Sequence, residues 1–396
     1  MVTIPTSNKD DFMRQLNSPN TNLPVNMQFE QQVNKIVKNI VISYVSDSAG
    51  CGHIRNVFPF TYLNAVFARD GNLIPMIAPF YLYQHDILLR TRSIFFQRQM
   101  SPQQIPQIQQ YKNLQKNYQY KMVYDIDDFI WKGPNEGECL PEYNFASTQI
   151  GEDVRKSSIE IMNMMDTVCV STQFLKDYLS THGVNKPIEV VHNTVPKSFW
   201  GTVKRGPIKE KIKKPRVVYT GSPTHYCNQR KMVGDWDNAW REWVIKNVKD
   251  NKIEFMCMGG LPFFFEEIKN KIHVVKWVNS YQYHLPVIKF RPDFGIAPLV
   301  RNYFNYSKSS IKYQEYCAAG CVGIGTVFTN DMPSPYDINI VKAPDTITVD
   351  QINQIISEYS EPVKFNDTIT KQFKQIEDNN WWLESQGFIN RLASLL

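Results

Sequence analysis

The stretch DFGIAPLVRNYFNYSKSSIKYQEYCAAGCVGIGT, residues 293–326, constrains the fold of this chain more than any other. An apolar run from Phe294 to Leu299 is followed by a polar loop holding Arg301, Asn302, Asn305, Lys308, Ser309 and Ser310. A helical run then carries Lys312 and Glu315 one turn apart and closes at Gly320, before a second apolar run containing Gly323 and Gly325. Strand, loop, helix and strand in this order form a βαβ unit of a parallel sheet. A helix start rich in hydroxyls and lysines suits a phosphate-bearing ligand, because free N–H groups and the positive end of the dipole point out of it. The same residues also suit a capped surface helix with solvated lysines, so the rest of the chain must decide between the two.

The remainder repeats the pattern. Residues 39–45, NIVISYV, are β-branched and read as a buried strand. DSAGCGHIR and an apolar-periodic helix over 58–71, stopped by Gly71, follow it. Strand, glycine turn and helix open a nucleotide-binding type of domain. Gly50 and Gly52 would let backbone approach a ligand, and serve a tight turn equally well. Further strands are expected at 72–80, 87–96, 122–126, 162–171 and 188–195. Asp125, Asp127 and Asp128 crowd the carboxyl end of the 122–126 strand, where doubly wound sheets hold their ligands. Acids there could bind a metal, orient a hydroxyl, act as a base, or simply cap the next element.

Residues 201–215 are rich in Lys, Gly and Pro and read as a linker. The pattern then restarts with a strand at 215–219, the turn TGSPTHY and a Trp-rich helix over 235–248. Strands at 252–258, 273–277, 293–299 and 321–326 follow, and the tail from Val349 is helical. Two such α/β units joined by a linker imply a cleft between them.

At 396 residues the chain predicts two to three domains. Its seven cysteines are odd in number and contain no CxxC pair, which points to reduced thiols in the cytoplasm and away from a zinc site. No apolar run approaches the ~20 residues of a membrane span, and the N-terminus lacks the basic-then-apolar order of a secretion signal. A net charge of +6 suits an anionic partner without requiring one. The lack of a GKS/T phosphate loop and of a full GxGxxG fingerprint argues against a helicase or a dehydrogenase.

Four signatures in order, GCGHIRNVFPF, VYDIDDFIWKGP, VYTGSPTHY and the 293–326 stretch, resemble glycosyltransferase family 4 and its phage and bacterial relatives. That resemblance implies the GT-B fold, two Rossmann-like doubly wound domains facing across a cleft. It divides the chain into a polar extension (1–36), an acceptor domain (37–200), a linker (201–214), a donor domain (215–375) and a C-terminal helix (376–396) packing back on the acceptor domain. It implies that Glu315 holds the ribose of a nucleotide-sugar, UDP-type by preference, while Ser309 and Ser310 hold its diphosphate. Lys308 or Lys312 would neutralise the leaving group. Gly221, Ser222 and His225 would line the donor side, His225 and Lys308 taking part in catalysis. Gly50, Gly52 and His53 would line the acceptor side with Asp125, Asp127 and Asp128, one of these acids orienting or deprotonating the acceptor. Transfer would retain configuration and need neither metal nor other cofactor.

Two departures from the family pattern stand out. Ser307 occupies the position eight residues before Glu315 where many relatives carry a sugar-reading glutamate. Arg301 and Asn302 replace an Asp-Asn pair, which would make the cleft more positive. An Asn-, Lys- and Ile-rich composition suggests an AT-rich phage genome, and phage enzymes of this architecture glycosylate hydroxymethylated bases in DNA. On that reading Arg55, Arg90, Arg92, Arg98, Lys204 and Arg205 would position double-stranded DNA, and the base would leave its stack. The alternatives are a polysaccharide or protein acceptor, or a nucleotide-sugar-binding protein without turnover, against which Lys308, Lys312 and Glu315 together argue.

Overall fold

Apolar residues, many of them β-branched or aromatic, dominate the two sheets, because strands buried on both faces are near-continuously apolar. The computed structural model describes residues 37–47, 50–67, 74–148, 151–201, 205–329 and 332–396. The first sheet contains β1 (Ile40–Tyr44), β2 (Ile74–Ala78), β3 (Thr91–Gln97), β4 (Lys121–Ile126), β5 (Thr167–Val170) and β6 (Ile188–Val190), all parallel, in the order β2-β1-β3-β4-β5-β6. The second contains β7 (Arg216–Thr220), β8 (Glu254–Met258), β9 (His273–Val275), β10 (Phe294–Ala297), β11 (Val322–Val327) and β12 (Val341–Pro344), also parallel, in the order β12-β11-β10-β7-β8-β9. The first order reverses between β1 and β3, and the second between β7 and β10. Ligands of open α/β sheets bind outside the carboxyl ends of strands at such reversals.

Strand alternation sorts each core. Ile40, Ile42 and Tyr44 face one core with Ile94, Phe96, Met122 and Tyr124. Val41, Phe95 and Val123 face the opposite one, closed by Phe388, Ile389, Leu392 and Leu395 of the final Gln386–Leu395 helix. The chain returns to the first sheet beside Val195, which bridges to Trp382. The second sheet packs against Trp236, Trp240 and Trp243 and the helices Val349–Tyr359 and Pro362–Asp378.

Four segments differ from the sequence expectation, one being the strand expected over 188–195, of which only Ile188–Val190 forms. His85–Arg90 is a helix and the strand begins only at Thr91, whose hydroxyl donates to the Ile87 carbonyl. The short run Ile87-Leu88-Leu89 carries no period that separates helix from strand. Met162 and Met164 end a helix over Glu152–Met164, and only Thr167–Val170 is strand. Unbranched methionines favour helix where Thr and Val favour sheet. The glycine turn after β1 is itself helical, with one turn over Gly50–Gly52 and a π-turn over His53–Val57 leading into the Phe58–Phe67 helix. Pro59 has no N–H to return to the preceding turn, and the widened turn lies there. At Gly52 a Cβ would lie 1.9 Å from the Asp47 carbonyl oxygen, so this glycine is demanded by packing. The expected stop at Gly71, the extension 1–36 and Lys204 lie outside the described residues.

Candidate active site

A cavity of about 760 Å³ opens between the two sheets, within the range of small-molecule sites. Of the sequence candidates, Gly50, Asp127 and Asp128 line it from the first half. Gly221, Ser222, His225, Lys308, Ser309, Lys312 and Glu315 line it from the second. Gly52, His53, Asp125 and Ser310 do not.

The second half contributes the helix Ile311–Ala318, which follows β10 at the sheet reversal. Lys312 Nζ lies 2.9 Å from His225 Nε2, and His225 Nδ1 lies 2.6 Å from Asp235 Oδ2. Burial, with Lys312 and Lys308 adding to it, pushes His225 down to about 3, so the imidazole is neutral. These partners place its proton on Nδ1, donated to Asp235, and its lone pair on Nε2, accepting from Lys312. Burial and the neighbouring Lys308 lower Lys312 to about 7. Glu315, one turn further on, is raised by burial to about 7, although the Tyr283 hydroxyl donates to it at 2.9 Å. A cation and a carboxyl both poised near neutrality therefore face one cavity, as expected of functional groups.

Lys308 holds its ammonium 3.9 Å over the Phe304 ring. Ser309 Oγ accepts from Asn193 Nδ2 at 2.8 Å, a bond that crosses between the halves. Ser222 N-caps the short Pro223–His225 turn. Gly221 leaves no room for a side chain, since a Cβ there would lie 2.3 Å from the Tyr219 hydroxyl. Ser310 is the N-cap residue of the Ile311–Ala318 helix, where its Oγ accepts from Gln314 Nε2 at 3.2 Å.

On the opposite wall Arg98 bridges Asp127 at 2.6 Å and Asp128 at 2.5 Å. Burial raises Asp127, whereas at Asp128 burial is outweighed by Arg98 and Lys308, which bring the carboxyl below its ordinary value. Arg98 has φ of 48°, a left-handed conformation that a non-glycine residue holds only under constraint. Cys51 Sγ and the two carboxylates lie within 4.8 Å of one another, a grouping small enough for a cation, with the Arg98 guanidinium already between the acids. Asp125 instead lies within β4, short of the strand end that carries Asp127 and Asp128, fully buried and ion-paired with Arg55. Arg55 donates to Asn193 at 3.1 Å, so Asp125 supports the residue that holds Ser309. His53 packs on Phe58 and Tyr281.

No protein-family model and no curated protein matches the chain. Solved structures do. Sucrose-phosphate synthase from Thermosynechococcus elongatus superposes with a TM-score of 0.57 at 9% identity, over 90% of this chain and 98% of that one. A glycosyltransferase from Rickettsia africae gives 0.55 at 11%, over 90% and 97%. Anabaena HepE in complex with UDP and glucose gives 0.52 at 7%, over 90% and 98%. The chain has the GT-B glycosyltransferase fold.

Within this GT-B frame, Ser307 and Arg301 do not do what their positions suggest. Ser307 is fully buried. Its Oγ accepts from the Phe129 N–H at 2.9 Å and its carbonyl accepts from the Thr172 hydroxyl at 3.0 Å, both across the two halves. Arg301 pairs with Asp345 and Thr329 at the protein surface, outside the cavity, so it does not make the cleft more positive. The basic residues considered for DNA are engaged within the GT-B chain as well. Arg55 and Arg98 hold the acids just described, Arg205 pairs with Asp293, Arg90 donates to Asn39 Oδ1 and Arg92 to the Leu396 carbonyl.

The sequence reading missed Asp235, Tyr283, Asn193 and Tyr143. Asp235 precedes a helix in a Gly-Asp-Trp-Asp run, where an acid reads as a cap. Only the fold brings it 2.5 Å from the Tyr143 hydroxyl of the other half.

Proposed function

We propose that this chain is a glycosyltransferase moving a sugar from a nucleotide-diphosphate sugar, UDP-type by preference, to an acceptor hydroxyl. The observation that carries this reading is the gathering of Lys308, Ser309, Lys312 and Glu315 on one loop and helix start, facing Asp127 and Asp128 across a single cavity. HepE, which shares the fold, is seen with UDP and glucose, and this supports the choice of donor.

In this reading the ionised Glu315, steadied by Tyr283, accepts hydrogen bonds from the vicinal hydroxyls of the ribose. Lys312 and Lys308 with Ser309 take the diphosphate. Charge grows on the departing phosphate as the sugar becomes oxocarbenium-like, so fixed cations there stabilise the transition state more than the ground state. Asp127 and Asp128, held by Arg98, orient the acceptor hydroxyl from the other wall. Charge neutralisation by lysines is the basis for proposing transfer without a metal, and retention of configuration is proposed with it.

For the acceptor, the reading as a hydroxymethylated DNA base keeps its compositional support but loses the phosphate contacts proposed for it, because the described arginines are bonded internally. Trp277, half exposed at the cavity, offers a ring face to either a base or a saccharide. The test is hydrolysis of a panel of nucleotide sugars, followed by transfer to hydroxymethylated DNA, saccharides and protein. Release of UDP from one donor supports the reading. Tight donor binding without release or transfer identifies a binding protein instead.

A further inference from the structure

We propose that Asp235 is a positioning residue for the leaving-group cation, acting through His225 to set where Lys312 directs its N–H bonds, and that Tyr143 of the facing half seats it. This rests on the reading of the site as one that holds a nucleotide diphosphate.

The geometry is a relay of four side chains from two halves of the molecule. Tyr143 donates its hydroxyl to Asp235 Oδ1 at 2.5 Å, and Asn305 Nδ2 donates to the same oxygen at 2.6 Å. Asp235 Oδ2 takes the His225 N–H at 2.6 Å, and His225 Nε2 accepts from Lys312 at 2.9 Å. Asp235 is fully buried, so each acceptor position it offers must be filled by a fixed donor. A carboxylate, having no proton to give, admits only the tautomer with its N–H on Nδ1. That leaves a lone pair on Nε2 as the anchor of the ammonium. Lys312 carries three donors, and with one spent on His225 the other two are left for the phosphate oxygens. A free lysine would choose among many rotamers, whereas this one arrives oriented.

The groups facing Lys312 are His225, Lys308, Asp235, Glu315 and the Tyr219 ring, 5.1 Å from its ammonium. Lys308 lowers its proton affinity, while Asp235 and Glu315 raise it. Removing the Asp235 charge without changing its shape therefore has an electrostatic signature that a packing role lacks. The bond from Tyr143 adds dependence on the facing half, since separating the two halves would withdraw one donor from Asp235.

The test has a ligand-free and a ligand-bound arm. Nitrogen-15 NMR of labelled histidine in the wild-type protein should show His225 with its proton on Nδ1 through about pH 6 to 8; a proton on Nε2 overturns the proposal. UDP affinity is then measured by calorimetry against pH for the wild type, Asp235→Asn and Tyr143→Phe. Asp235→Asn should weaken UDP about tenfold and move the alkaline loss of binding to lower pH by about one unit. Tyr143→Phe, which leaves the charge in place, should weaken UDP less and leave that midpoint unmoved. A wild-type protein that binds UDP, with Asp235→Asn showing the same midpoint, overturns this inference alone. A wild-type protein that binds no nucleotide overturns the reading of the site as well.

Discussion

The Lys312 ammonium rests 2.9 Å from the Nε2 of a His225 imidazole that stays neutral, so a cation is anchored in the cavity by a lone pair instead of a counter-ion. Such an anchor holds the charge in place without cancelling it, which leaves its field available to an anionic ligand. Lys312→Met keeps the stem and removes the charge. Loss of a fixed cation at a developing phosphate charge should reduce kcat/KM about 10²- to 10³-fold. Steady-state kinetics with the donor found by screening checks this, and a change of less than about threefold would count against it.

Glu315 and Lys312 give the folding stability a pH dependence whose sign is fixed. Glu315 keeps its proton to about pH 7 in the folded protein, against an ordinary value of 4.5. From about pH 4.5 to 7 the folded state binds more protons than the unfolded chain, so this group's contribution to stability falls as pH rises. Lys312, lowered to about 7 from 10.5, acts over the next window. There the unfolded chain binds more protons, and its contribution to stability rises with pH. Together the two make a trough near neutrality. Glu315→Gln should abolish the acid-side fall and exceed the wild type by roughly 1–3 kcal/mol near pH 8 in urea denaturation, while binding UDP more weakly. Equal stability of variant and wild type at that pH would refute the assignment.

Ser307→Glu places an acid where many relatives of the resembled family carry one. Here the position is buried and its hydroxyl accepts the Phe129 N–H. The variant should lose that bond and bury a charge, at a cost of roughly 3 kcal/mol or more in denaturant unfolding. Donor affinity should fall with it. Stability equal to the wild type with improved donor binding would show that this residue can turn into the cavity.

Asp127 and Asp128 belong to the acceptor wall in the proposed mechanism, so Asp127→Asn and Asp128→Asn should spare UDP binding and slow transfer. Calorimetry and transfer rates separate the two effects. Arg98→Met leaves both acids without their cation, and removing one partner of a buried ion pair costs about 3–5 kcal/mol. Activity surviving EDTA is expected, because lysines supply the charge. Activity lost to EDTA and restored by Mn²⁺ would assign Cys51, Asp127 and Asp128 to a metal instead.

The strands that carry the site were legible because they are short, mainly apolar runs followed by a polar stretch, as in residues 39–45, 122–126 and 293–299. Lys308, Ser309, Lys312 and Glu315 were legible as neighbours of one helix start, and the resemblance to glycosyltransferase family 4 assigned them their roles. Asp235, Tyr143, Asn193 and Tyr283 were not, because their partners lie at distant places in the chain and no local pattern encodes such a meeting. Asp125 illustrates the converse. Its neighbours Asp127 and Asp128 lie past the end of β4 and reach the cavity, but Asp125 is still inside the strand, on the face of Val123, where only Arg55 reveals its use. Arg301 was misread for a similar reason, since its partner Asp345 is 44 residues away.

Phe304 belongs by sequence to the second half, yet its ring is buried in the core of the first, with Tyr303 packed beside it. A protease cut or a gene split at the linker would therefore not yield a self-sufficient nucleotide-binding module. The excised C-terminal piece would show two aromatic rings to water one turn before Lys308, and the segment proposed to grip phosphate would become a sticky surface of the fragment.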